Sequence, residues 1–294
     1  MSKLSEIYKQ VKPATVAIVS RVSRDPAFPQ IIGTGYIVRE DGIIFTNQHV
    51  INAFKKLPKR KGAPEDEWPA LALLFHFIPG KGTVLVPMDI KAVLLPESHE
   101  GGVHYGPKVP DIGIIRVDVA GLPTVKIAEK FNLDEGDEIA FCGFPMGTRT
   151  LKAPGWIHQI TPTLQQGILS AILPMVCDNP HAILIDIQTE GGSSGSPIFN
   201  PETGEVVAML YAGLLEDRIM QGKDGDFLLY KNSTSHTLGV PCQFLSMMLN
   251  QLDDLQEFKD DKINYKKLED LLKEDGEHHL PGQPTMKNTC EIEQ

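Results

Sequence analysis

Ser193 and Ser194 stand side by side in Gly191-Gly192-Ser193-Ser194-Gly195-Ser196-Pro197-Ile198. An apolar run over residues 182–187 precedes this stretch, and Phe199-Asn200-Pro201-Glu202-Thr203-Gly204 follows it as a turn. A serine between glycines at the mouth of a strand suits acyl transfer. Glycine lets the backbone turn sharply and leaves N–H groups free to face a developing oxyanion. A Gly/Ser loop with no chemistry uses the same letters, so the partners decide. His49 lies in Thr46-Asn47-Gln48-His49-Val50, and Asp111 opens the apolar run Asp111-Ile112-Gly113-Ile114-Ile115-Arg116-Val117. A carboxylate there is costly to bury unless paired, and a histidine ring N–H is one partner that solves this. Hydroxyl, imidazole and carboxylate together could serve as nucleophile, base and orienting group.

Two registers fit the serine stretch. Gly191-x-Ser193-x-Gly195 matches the nucleophile elbow of α/β-hydrolases, with Ser193 attacking. Gly192-x-Ser194-Gly195-x-Pro197 matches the serine loop of chymotrypsin-like proteases, with Ser194 attacking. The two folds place their histidine on opposite sides of the serine in the chain.

The elements that must hold these groups are mostly short strands. Residues 2–11 read as a helix with Leu4, Ile7, Tyr8 and Val11 on one face, ended by Pro13. Residues 15–19 and 31–38 follow as strands, and Glu40-Asp41-Gly42 closes a hairpin onto residues 43–46, which run into His49. A lone histidine at an element end is more often structural; rigid placement there is also what a base needs. A basic run over residues 55–61 and the acidic Glu65-Asp66-Glu67 read as a solvated surface loop. Strands are expected over 71–78 and 84–95, around Pro79-Gly80-Lys81-Gly82. Further short strands are expected near 139–142 and 163–171. Many short strands with Gly/Pro turns and scarcely any helix predict an all-β barrel or sandwich.

Composition narrows the function classes. A chain of 294 residues with 41% hydrophobic residues has ample core for one large domain or two small ones. A formal charge of −10 argues against wholesale binding to nucleic acid or an acidic membrane. That charge is uneven: residues 251–294 carry 12 acidic and 6 basic side chains, a net of −6. Met1 to Gln10 has no basic-then-apolar leader and no apolar run approaches membrane length, which predicts a soluble, cytoplasmic protein. Cys142, Cys177, Cys242 and Cys290 lie far apart, with no metal spacing, and are expected as reduced thiols. His76, His99 and His104 match no common ligand pattern.

Taken in the order His, Asp, Ser, the motifs give the chain a resemblance to trypsin-like serine proteases, most closely the HtrA/Deg branch. The matching stretches are Ile31-Ile32-Gly33-Thr34-Gly35, Thr46-Asn47-x-His49-Val50, Asp111-Ile112-Gly113-Ile114-Ile115, Gln166-Gly167-Ile168-Leu169-Ser170-Ala171 and Gly192-Ser193-Ser194-Gly195-Ser196-Pro197. They span about residue 5 to Leu245. The resemblance favours Ser194 as nucleophile, since an α/β-hydrolase would need a later histidine and alternating helices. It implies two six-stranded antiparallel barrels, roughly 13–125 and 126–245 within a protease domain 1–249, with the site in the cleft between them. By the same resemblance His49 is the base, Asp111 orients it, and the amides of Gly192, Ser193 and Ser194 surround the oxyanion. Gln188, Thr189 and Met209, Leu210, Tyr211 and Ala212 would line the primary pocket, which then holds no carboxylate to receive a basic side chain. No metal or organic cofactor is implied. The expected partner is a protein or peptide substrate, with a homo-oligomer or a regulatory protein as further partners.

The chain departs from the family after Leu245. No PDZ domain is expected there; residues 243–258 and 264–274 read as amphipathic helices of an acidic tail over 250–294, disordered after about Gly276. The first helix is expected to pack on the second barrel. Ser193 also replaces the aspartate by which digestive relatives hold a freed amino terminus, so no activating cut is expected. Rivals to an endopeptidase are an idle protease-like scaffold, against which the intact Ser, His and Asp argue, and an esterase.

Overall fold

The computed structural model describes residues 2–22, 30–79, 82–96, 110–145, 161–174, 180–221, 227–255, 258 and 263–273. The chain enters through helix α1 (Lys3–Val11), whose N-cap Ser2 accepts from the Ser5 amide. Six strands follow: β1 (Thr15–Ser20), β2 (Ile31–Arg39), β3 (Ile43–Thr46), β4 (Ala70–Ile78), β5 (Gly82–Leu94) and β6 (Gly113–Val117). They close an antiparallel barrel in the order β1-β2-β3-β6-β5-β4. A short strand β7 (Val119–Ala120) leads out of it. Strands β8 (Glu138–Gly143), β9 (Thr163–Leu173), β10 (Ala182–Ile185), β11 (Pro197–Phe199), β12 (Val206–Gln221) and β13 (Phe227–Pro241) close a second barrel, ordered β10-β13-β12-β11-β8-β9. The two six-stranded antiparallel barrels inferred from the sequence are therefore the fold.

Closure explains the apolar runs. A strand inside a small barrel turns alternate residues inward, while elements packed outside cover the others. In β1 all six residues are buried, because α1 and the second barrel cover what the lumen does not. Among the described residues no helix is long and apolar enough to cross a membrane.

Two elements were not anticipated. Residues 48–55 form a helix, α2 (Gln48–Lys55), so His49 sits in a first helical turn rather than at the run-out of the strand before it. Its buried face is Val50, Ile51 and Phe54, a spacing too short to stand out beside the basic run that follows. Strands β12 and β13 extend well past the barrel wall, pairing as far as Gln221↔Phe227.

The segment after the second barrel crosses back to the first. Helix α3 (Cys242–Gln251) packs on β12 and β13. Beyond it Leu252 and Phe258 are buried, and Asp253 pairs with Arg39 at 2.7 Å. Tyr265 then meets Arg116, which is fully buried in β6: its Nε donates to the phenol oxygen at 2.7 Å and its guanidinium lies over the ring. Strand β14 (Lys266–Lys267) pairs in parallel with β7, and Lys266 Nζ reaches Asp118 at 3.0 Å. A one-turn helix, α4 (Leu268–Lys273), buries Leu268. Residues 264–274, expected as one helix, thus spend their start on a strand and an ion pair. The expected disorder after Gly276 lies outside the described residues, as do His99, His104, Cys177 and Cys290.

Candidate active site

Register brings His49 and Asp111 together. Strand β3 pairs with β6 at Thr46↔Gly113, and continuing that antiparallel count sets residue 111 beside residues 48 and 49. Asp111 Oδ2 lies 2.5 Å from His49 Nδ1, and its Oδ1 accepts the His49 backbone N–H at 3.0 Å. A carboxylate accepts, so Nδ1 carries the hydrogen in this contact and leaves Nε2 as the outward nitrogen. Asn47 Nδ2 donates to the Asp111 carbonyl at 2.7 Å and fixes the carboxylate's own backbone. Asp111 is largely shielded, at 21% side-chain exposure, whereas the ring it holds is open, at 48%.

The serines separate by burial. Ser193 is fully buried and its Oγ has no partner, whereas Ser194 is half-buried. A reagent therefore meets Ser194 and not Ser193. The Ser193 N–H closes a turn onto the Glu190 carbonyl at 3.1 Å, with Gly192 at φ 100° in the position that favours glycine in a type II turn. That hydrogen bond occupies the Ser193 amide, so Ser193 supplies no donor to a third atom. The amides of Gly192 and Ser194 donate to nothing among the described residues.

Thr34 of β2 holds the turn from across the barrel boundary. Its Oγ1 donates to the Gly192 carbonyl at 2.7 Å, and its N–H donates to the Ser194 carbonyl at 2.8 Å. Phe144 N–H in turn donates to the same Oγ1 at 3.1 Å. With both carbonyls pulled toward Thr34, the turn is clamped at each end. Gly195 completes the approach: at φ 86°, a Cβ there would lie 2.1 Å from the Thr34 carbonyl oxygen. Gly33 shows how close the two halves come, since a Cβ there would meet Val50 on one side and the Ser194 carbonyl on the other. Among the described residues no hydrogen bond joins Ser194 Oγ to the His49 ring, a contact that often tightens only with substrate.

The expected pocket residues fall into two groups. Gln188 is exposed, and Tyr211 and Ala212 are half-buried. Thr189 is buried and shares a 2.9 Å hydrogen bond with Thr237, beside Gly213. Met209 and Leu210 belong to the core with essentially no exposure, so their side chains face no cavity; Leu210 acts through its backbone, accepting from Gly195 N–H at 2.9 Å. Burial, and then the negative charge of Asp111, push the Tyr211 phenol above its ordinary value. Burial pushes the Cys142 and Cys242 thiols up to about 12 and about 11, so neither is a thiolate nucleophile. Among the described residues no group of His, Cys, Asp and Glu is placed to hold a metal ion. Thr34 was missed by sequence reasoning, because a threonine inside a strand reads as a β-branched filler.

The chain matches the profile of the trypsin-like peptidase domain over residues 33–209. A "Probable periplasmic serine endoprotease DegP-like" of Halomonas elongata is 29% identical over 181 residues, covering 60% of this chain and 28% of that protein. One of Pseudomonas putida with the same name is 26% identical over 182 residues, covering 61% and 29%. The chain thus spans under a third of the length of these curated relatives. Among solved structures, an HtrA-type protease AlgW with decapeptide superposes with a TM-score of 0.53 at 16% identity, covering 86% of this chain and 68% of that one. These names correct the cytoplasmic expectation, since the relatives are named periplasmic. That expectation rested on what the first residues lack, and such a lack says nothing of the compartment.

Proposed function

The chain belongs to the trypsin-like peptidases, on their HtrA branch, and from that premise we propose that it is a serine endopeptidase whose nucleophile, base and orienting acid are Ser194, His49 and Asp111. The observation that carries this reading is the double hold of Asp111 on His49, through ring and backbone, with Nε2 left free. His49 Nε2 takes the Ser194 proton as Oγ attacks the scissile carbonyl carbon. The carbonyl oxygen becomes an oxyanion facing the free amides of Gly192 and Ser194, each of which contributes roughly 3–4 kcal/mol to lowering the barrier. The imidazolium, stabilised by Asp111, gives its proton to the leaving amine, and the acyl group stays on Ser194. Water, deprotonated by the same nitrogen, then releases the acid and restores the serine.

The substrate is a protein or peptide with a medium-sized apolar residue before the cleaved bond. Thr189, Gly213 and Thr237 lie together there, the two hydroxyls paired with each other, and these residues supply no carboxylate to receive a lysine or arginine. The relatives' names point to the periplasm as its compartment. The test is fluorophosphonate labelling of the purified chain, then digestion of unfolded casein beside short esters. Labelling abolished by Ser194→Ala, with casein cut, supports the endopeptidase. An unlabelled chain means an idle scaffold, and ester turnover without casein cleavage means an esterase.

A further inference from the structure

Past Gly213, β12 and β13 leave the second barrel as a two-stranded arm. Its cross-strand pairs are Leu215↔Ser233, Glu216↔Asn232, Asp217↔Lys231, Arg218↔Tyr230, Ile219↔Leu229, Met220↔Leu228 and Gln221↔Phe227. Alternation along the strands puts Leu215, Ile219, Phe227 and Leu229 on one face and Met220, Leu228 and Tyr230 on the other. With Leu214, these eight side chains are exposed by 37–72%. That apolar area is divided between the two faces of the arm, so a partner strand along one edge covers only the side chains beside that edge. Both long edges are bare as well. Among the described residues, β12 has no outer ladder partner beyond its pairing with β11, and β13 none beyond its pairing with β10. An isolated hairpin of this kind is marginal in water, and its edges are a template for another strand.

The charges on the arm indicate which strand. The whole chain carries −10, and on the paired strands of the arm Glu216 and Asp217 are matched by Arg218 and Lys231. An antiparallel pairing of β12 with itself, centred on Asp217, sets Leu215 opposite the partner's Ile219 and Glu216 opposite the partner's Arg218. Two-fold symmetry makes each contact twice. Glu216 and Arg218 already meet along one strand through Arg218 Nε at 2.6 Å, so both side chains reach over the same face. Asp217 then faces its own copy, with Lys231 as its cross-strand neighbour on each side. We propose that this arm docks a second copy of the chain, edge to edge along β12, making a four-stranded sheet with Leu215 and Ile219 at its centre.

The test is the mass of the full chain by sedimentation equilibrium across a dilution series. A two-chain species is expected. Ile219→Lys should weaken it on the order of 100-fold, since two Ile–Leu contacts are lost at once, while the thermal transition stays put because the side chain is exposed. Glu216→Arg and Arg218→Glu should each weaken the dimer, and the two together should restore it. A single-chain mass at every concentration overturns the proposal. So does a dimer indifferent to Ile219→Lys, or a double swap that fails to rescue. If Ile219→Lys changes only the KM for casein, or only retention on lipid vesicles, with mass unaltered, the arm holds substrate or membrane and the proposal also falls.

Discussion

At the residue scale the separation of the two serines gives a sharp expectation. Ser194→Ala and His49→Ala should each lower kcat by up to about 10⁶, and Asp111→Asn by about 10⁴. Ser193→Ala should keep most activity, because its buried hydroxyl has no partner to lose. Steady-state cleavage of one peptide by all four variants checks this, and a dead Ser193→Ala beside an active Ser194→Ala would reverse the register. Thr34 yields a second expectation. Thr34→Val keeps the shape but strips the Gly192 carbonyl and the Phe144 amide of a common partner. Each orphaned group costs about 1–3 kcal/mol, and the loosened turn should lower kcat more than it changes KM. Thr34→Ser should restore kcat; if it does not, the hydroxyl has no positioning role. The candidate triad residues were legible because each sits in a motif with its own local logic. Thr34 was not, because its importance lies in two carbonyls more than 150 positions away in the chain.

At the element scale the serine turn depends on backbone geometry that one methyl group can spoil. Gly195→Ala would combine a positive φ with a Cβ 2.1 Å from the Thr34 carbonyl oxygen. It should abolish probe labelling of Ser194. Gly121→Ala is the matched control: φ is 77° and a Cβ there meets nothing within 4 Å. It should lower stability by only about 1–2 kcal/mol and leave labelling intact. Equal labelling of the two would mean that the turn tolerates displacement. Strands β2 and β3 were legible through their apolar runs and the Glu40-Asp41-Gly42 turn. The helix α2 and the β12–β13 arm were not. The first is brief and polar outside its buried stripe; the second turns its apolar residues to solvent, where pattern reading assigns no structure.

At the scale of the whole molecule, the all-β class followed from strand length and turn spacing. The path of the last segment did not, because Arg116, Asp118, Tyr265 and Lys266 meet only through the tertiary fold. Tyr265→Phe removes the phenol that Arg116 Nε donates to inside the barrel. A hydrogen bond to a charged group is worth about 1.5–3 kcal/mol, so calorimetry should show a transition lowered by several degrees. An unchanged transition would mean that the segment rests on the barrel without supporting it. The parallel pairing of β7 with β14 has another side. Its partners, Val119 and Lys266, are separated by half of the chain, so a ribosome finishes the first barrel's strands long before it delivers their last support. Until Tyr265 emerges, His49 and Asp111 belong to a barrel whose buried guanidinium still lacks its phenol partner.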